Sequence, residues 1–334
     1  MKRALALLAF LWSGLPAAAD APPLLQRMLD AASTLNYRGH VVQIEGTQPQ
    51  TLKLLHRAGA QAGEDRVHSI QGAYWELRRV GAQCKVAMTD TRPAPDEALV
   101  AAAFPSLVPQ RLMRLADLYT FQPLGAGRFA ERTADFTLAE PRDTFRFAYL
   151  LVTDAATGLL LKAGLVDRRG HILRQVFFVD LQVLPMVPDA EWQQAVADAP
   201  AELTWTERRL TAEPVSVELP WPIGPLPAGF QVSGYGRKRM PGGEHEIDQI
   251  TFSDGLATVS AFIDAQAGAD PGAVGARRVA AMPAYGASVD GRQVTVLGAA
   301  PHAALREIAN ALSAPPPTPV PAQTDNLSHP ASTP

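Results

Sequence analysis

Residues 140–184, EPRDTFRFAYLLVTDAATGLLLKAGLVDRRGHILRQVFFVDLQVL, decide the fold. From 144 to 152 the chain alternates, with Phe145, Phe147, Tyr149 and Leu151 on one side and Thr144, Arg146 and Ala148 on the other. That is the period-two pattern of a strand. DAATG at 154–158 reads as a loop, after which Leu159, Leu161, Ala163 and Leu165 share a face of the next strand. DRRG at 167–170 makes a second turn into a third strand over 172–183, so the whole is an antiparallel meander. The third strand is apolar on both sides in places, at Val176, Phe177, Phe178 and Val179, which requires something to cover the sheet. Either helices or a second sheet bury this face as core, or part of it lines a cavity for an apolar ligand.

The ends of the chain set its compartment. Lys2 and Arg3, an apolar run over 4–15 and Ala17-Ala18-Ala19 before Asp20 have the order of a secretory leader, so residues 1–19 are expected to be removed. The apolar run is too short to span a bilayer, and no cysteine follows it to carry a lipid. Without Lys2 and Arg3, 28 basic residues face 33 acidic ones, a formal charge of −5 that gives no nucleic-acid footprint. The single cysteine, Cys84, alternates with Val86 and Met88 and reads as a buried strand residue. A leader with no internal disulfide suits a bacterial periplasm.

Around the meander, Leu24, Leu25, Met28, Leu29 and Ala32 fall on one face of a helix that opens the mature chain. Strands are expected over 36–44, 51–57, 73–80 and 83–89, then 119–123 and 134–139. Between them, residues 93–118 carry four prolines and an apolar set at Leu112, Leu115 and Leu118, which predicts a helical excursion able to cover the sheet as a lid. The spacing assigns residues 20–198 to a large domain, 199–225 to a proline-rich linker with a strand at 203–208, and 226–313 to a small one. In the small domain, strands at 246–252 and 256–264 flank Ser253-Asp254-Gly255, and strands at 285–289 and 292–297 flank Asp290-Gly291. A helix with a stripe of Leu305, Ile308, Ala309 and Leu312 closes it, and the patternless proline-rich tail at 314–334 is expected to be disordered.

Chemistry is absent from these patterns. The seven histidines are scattered without metal-ligand spacing, Ser253 lies in a hairpin and not on a nucleophile elbow, and Gly234-Tyr235-Gly236 lacks the third glycine of a dinucleotide site. No enzyme and no cofactor are expected. Two basic clusters in the small domain, Arg237, Lys238 and Arg239 beside Tyr235, and Arg277 with Arg278, read either as solvated faces or as contacts for an acidic partner.

Taken together, LLQRMLDAASTLNY at 24–37, the stretch 140–178, LPAGF at 226–230, FSDGLATVSAFI at 252–263 and GRQVTVLG at 291–298 resemble the RseB/MucB regulators of the sigma-E envelope-stress pathway of Gram-negative bacteria. The resemblance implies an α+β fold. Its large domain would be an unclosed antiparallel barrel with covering helices, similar to the lipoprotein carriers LolA and LolB, joined to a smaller α/β domain. It further implies a periplasmic protein that binds the periplasmic domain of a transmembrane anti-sigma factor, shields it from site-1 proteolysis, and releases it on sensing lipid or lipopolysaccharide. On that reading Phe145, Phe147, Tyr149, Leu151, Leu159, Leu161 and Leu165 line a lipid cavity, and Tyr235 with the two arginine clusters contacts the partner. A lipoprotein carrier is the alternative, against which the extra small domain argues. Whether the chain forms a homo-oligomer is left open.

Overall fold

The computed structural model describes residues 21–45, 48–59, 63–81, 83–89, 116–197, 200, 203–209, 219–239, 246–254, 256–268, 271–279 and 282–312. The leader, nearly all of the excursion expected over 93–118, and the tail at 314–334 therefore lie outside the described residues. Helix α1 (Ala21–Thr34) precedes β1 (Asn36–Glu45), β2 (Gln48–Arg57), β3 (Glu64–Ser69), β4 (Trp75–Val80) and β5 (Gln83–Met88). Next come β6 (Tyr119–Phe129), β7 (Arg132–Pro141), β8 (Ala148–Asp154), β9 (Leu160–Val166), β10 (Ile172–Leu184), α2 (Asp189–Ala197) and β11 (Thr204–Arg209). The C-terminal part holds β12 (Gln231–Arg239), β13 (Glu246–Ser253), β14 (Thr258–Gly268), β15 (Gly275–Val279), β16 (Met282–Val289), β17 (Arg292–Gly298) and α3 (His302–Ala311).

Among the described residues these strands make two antiparallel sheets. Eleven strands run in the order β11-β5-β4-β3-β2-β1-β10-β9-β8-β7-β6, and six in the order β12-β13-β14-β17-β16-β15. The outer strands β11 and β6 do not pair, so the large sheet is the unclosed antiparallel structure that the family resemblance implies. The chain reaches its centre early: β1 pairs with β2 on one side and with β10, residues 36–45 against 174–184, on the other.

Helix α1 forms because its apolar residues recur at helical spacing, and it uses that stripe to close one face of the large sheet. Leu25, Met28, Ala31 and Ala32 are buried, the first three in one cluster with Tyr37, Val41, Leu52, Leu54, Leu77, Leu161 and Phe178. Each Leu or Met so buried contributes roughly 1.5–3 kcal/mol. A side-chain bond from Arg27 Nη2 to the Ala155 carbonyl, 2.8 Å, ties α1 to the turn after β8. Ala116 and Leu118 pack on the edge of the same cluster, and residues 116–118 are helical.

The meander is present as β8, β9 and β10, with Tyr149 opposite Leu165 and Leu151 opposite Ala163 on one face. Two details differ from the sequence reading. Strand β8 starts only at Ala148, because the Asp143 carboxylate accepts a bond from the Phe145 amide, 2.9 Å, and turns residues 142–146 away from the strand path. Phe145 accordingly leaves the expected face and packs with the small sheet's core. The third strand is not covered on both sides: Phe178 is its one fully buried residue, while Val179 is 50% exposed.

In the small sheet the inward residues Ile250, Phe252, Val259, Ala261, Ile263, Val294 and Val296 meet the α3 stripe of Leu305, Ile308 and Ala309. Asp290 and Gly291 both have positive φ, 48° and 73°, the geometry of a two-residue hairpin turn matched to strand twist. Leu219, Trp221, Ile223 and Leu226 also pack on this core, and the Gly224 amide bonds the Ala311 carbonyl at 2.8 Å, so the last part of the proline-rich stretch is seated on the small sheet.

Candidate functional site

The two sheets meet at the turn that displaces Phe145. Arg146, whose side chain is fully buried, donates from Nε to Asp254 Oδ2 at 2.7 Å, from Nη1 to Asp143, and from Nη2 to the Ala228 carbonyl. Its guanidinium also lies 5.3 Å from the centroid of Phe230. Asp254 is fully buried too, and its other oxygen accepts from the amides of Leu256 and Ala257 at 2.8 and 2.7 Å, which fixes the carboxylate within the β13–β14 turn. A Cβ at Gly229 would fall 2.7 Å from Arg146 Nη2, and φ there is +84°, so only glycine fits. One charged fork thus satisfies acceptors from both domains, a demand only arginine geometry meets.

Next to it, Phe147, Leu165, Leu173 and Arg174 of the large domain face Met282, Pro283 and Ala299 of the small one across a shallow cleft. The residues expected to line a lipid cavity therefore divide into three groups. Leu151, Leu159 and Leu161 are packed in the large core at 3% exposure or less, with Tyr149 at its margin; burial pushes the Tyr149 phenol up to about 12. Phe147 and Leu165 reach the interdomain cleft, and Phe145 belongs to the small core.

The basic clusters also separate, because they lie on β12 and β15, the opposite edges of the small sheet. Tyr235 Oη donates to Asp248 Oδ1 at 2.8 Å, Arg237 Nε approaches the same oxygen at 3.4 Å, and Lys238 and Arg239 are exposed. Burial first, then Asp248, holds the Tyr235 hydroxyl above its usual range. Arg277 is half-buried and donates to Thr295 Oγ1 at 2.7 Å, while Arg278 is exposed.

A third feature was missed entirely: β3, EDRVHS, whose charged composition hides a buried strand. Register places His56, Asp65 and Arg79 directly opposite one another across β2, β3 and β4. His56 Nδ1 lies 2.5 Å from Asp65 Oδ1, Arg79 Nε donates to Asp65 Oδ2 at 2.5 Å, and the His56 ring stacks on Tyr37 at 4.3 Å. On the other face, buried Glu76 accepts from Arg66, Arg78 and Tyr74. Burial pushes the Asp65 carboxyl up, but His56 and Arg79 outweigh it and hold the group below the usual carboxylate range. For Glu76, burial is likewise outweighed by the bonds from Arg78, Arg66 and Tyr74. Among the described residues no cluster of His, Cys, Asp or Glu could hold a metal ion, and no helix is long and apolar enough to cross a membrane.

Comparison with known proteins matches residues 20–196 to the MucB/RseB N-terminal domain and residues 216–313 to the MucB/RseB C-terminal domain. The sigma-E factor regulatory protein RseB of Haemophilus influenzae is 28% identical over 210 residues, 63% of this chain and 64% of the relative, so that match spans just under two thirds of its length. The sigma factor AlgU regulatory protein MucB of Pseudomonas aeruginosa is 27% identical over 256 residues, 75% of this chain and 77% of that one. The structure of the Pseudomonas aeruginosa MucA/MucB complex superposes with a TM-score of 0.66 at 26% identity, covering 89% of this chain and 99% of that one. A structure of MucB in complex with MucA(peri) gives 0.65 at 25% identity, with the same coverage. With two matched domains in the same order, and two sheets to correspond to them, the chain belongs to the MucB/RseB family.

Proposed function

We propose that this protein is exported to the periplasm and restrains a sigma-E type stress response by binding the periplasmic domain of a transmembrane anti-sigma factor, shielding it from site-1 proteolysis. The observation that carries this reading is the superposition over nearly the whole length of a MucB solved in complex with MucA, both domains included. Its working units are the large domain at 20–198 and the small domain at 226–313, joined by 199–225, a stretch that also supplies edge strand β11 to the large sheet. Partner contact falls to the small domain's edge strands, where Tyr235, Arg237, Lys238 and Arg239 lie on β12 and Arg277 and Arg278 on β15. Calorimetry of the full chain with that periplasmic domain should give saturable binding, weakened by Arg237→Ala/Arg239→Ala. Absence of heat with a folded partner segment would reject the reading.

The releasing signal in this scheme is a lipid or lipopolysaccharide, which shifts the complex by its differential affinity for the bound and released states. Its entry belongs at Phe147 and Leu165 in the cleft, since Leu151, Leu159 and Leu161 are already packed. Phe147→Ser should blunt lipid-triggered release while the chain stays folded, whereas Leu161→Ser should destabilise the large domain first. The reverse pattern would return the lipid site to the core face of the meander.

A further inference from the structure

We propose that Arg146 is the latch of an interdomain hinge, and that its bonds to Asp254 and the Ala228 carbonyl hold the two sheets in one of two arrangements. The residues it joins lie on loops and not on strands: the 142–147 turn of the large domain, the turn around Ala228 and Gly229, and the β13–β14 turn. Loops of this kind absorb the backbone rotation of a hinge, whereas packed strands do not. The neighbouring residues are placed to report on the latch, since Phe145 is seated in the small core and Phe147 in the cleft wall. The Phe147 carbonyl is held at 3.1 Å by the hydroxyl of Tyr119, so movement of this turn is opposed from the large domain as well.

A buried arginine favours a discrete switch over a soft joint. If Arg146 stays between the sheets it must keep its carboxylate, because a buried charge without its partner is strongly disfavoured, and if it leaves it must reach water. Intermediate separations satisfy neither condition. One consequence rests on the function proposed above: a partner that binds the shut arrangement more tightly keeps the latch closed, and a ligand wedged beside Phe147 favours the open arrangement.

The latch can be tested without any partner. Spin labels at Val179→Cys and Val274→Cys, each 50% exposed in the parent residue and on different domains, report the interdomain distance, and the native Cys84 is buried at 2% and escapes labelling. The full chain should give one narrow distance. Arg146→Ala should broaden it and add longer distances, Arg146→Lys should lie between because an ammonium cannot serve all three acceptors in the same geometry, and Gly229→Ala should act in the same direction by crowding the guanidinium. If Arg146→Ala does not fold, Asp254→Asn decides, since its oxygen keeps the bonds from the Leu256 and Ala257 amides while its amide nitrogen, a donor, can no longer accept from Arg146 Nε. A folded variant, Arg146→Ala or Asp254→Asn, with the parent's single narrow distance would overturn the proposal.

Discussion

The two sheets bury different kinds of group. The large one buries His56, Asp65 and Arg79 on its core face and Arg66 and Glu76 on the other, all at 1% exposure or less. The small sheet buries Ile250, Phe252, Val259, Ile263, Val294, Leu305 and Ile308, and Asp254, its one fully buried charge among the described residues, is spent on the other domain. Buried ion pairs are weak contributors to net stability but severe when broken. The large sheet should therefore depend on electrostatic matching, and the small one on packing.

The largest effect that could break this contrast is removal of one buried charge. Glu76→Ala strands Arg66 and should cost about 3–5 kcal/mol in denaturant unfolding, whereas the double change Arg66→Met/Glu76→Leu should recover most of it. A double change as costly as the single one would mean that the network itself, not the orphaned charge, holds the sheet. Next, Leu305→Ala in the small core should cost roughly 2–4 kcal/mol through lost burial and the cavity left behind. That loss should appear in the signal of the small domain, and a loss shared equally by both would show that the sheets unfold as one unit.

Acid titration sharpens the contrast further. Asp65, Glu76 and Asp154 are all held below their ordinary values of 3.8, 4.5 and 3.8 in the folded chain. Because the folded values are depressed, the stability they carry is fully present above those ordinary values and is lost as pH falls through the lower folded ones. Each unit of depression is equivalent to about 1.4 kcal/mol. Melting followed from pH 6 to pH 2 should thus show little change until the ordinary carboxylate range is reached, then a steep decline confined to the large domain. The smallest effect is expected at Val179→Thr, on the exposed side of β10, within about 0.5 kcal/mol.

Those same buried charges explain what could be read in advance. Alternating side chains, or turn residues such as Asp290-Gly291 that announce the reversal, found β1, β2, β4 to β10 and the small hairpins. It missed β3, β12 and β15: Arg66 and Arg277 read as surface until their partners Glu76 and Thr295 are known, and the arginines and lysine that end β12 are exposed. The site was legible only in part. Leu151 and Leu165 sat on the expected face, but Phe145 was displaced by an Asp143 bond to its own amide, and Arg146 finds Asp254 across 108 residues that no local pattern connects.

The most direct test of the proposed role is the rate at which site-1 protease cuts the periplasmic domain of the anti-sigma factor, measured with increasing amounts of this protein. Saturable slowing that reaches its limit at the stoichiometry seen in calorimetry is the predicted result. A cleavage rate unchanged at concentrations where the two proteins are demonstrably bound would contradict it.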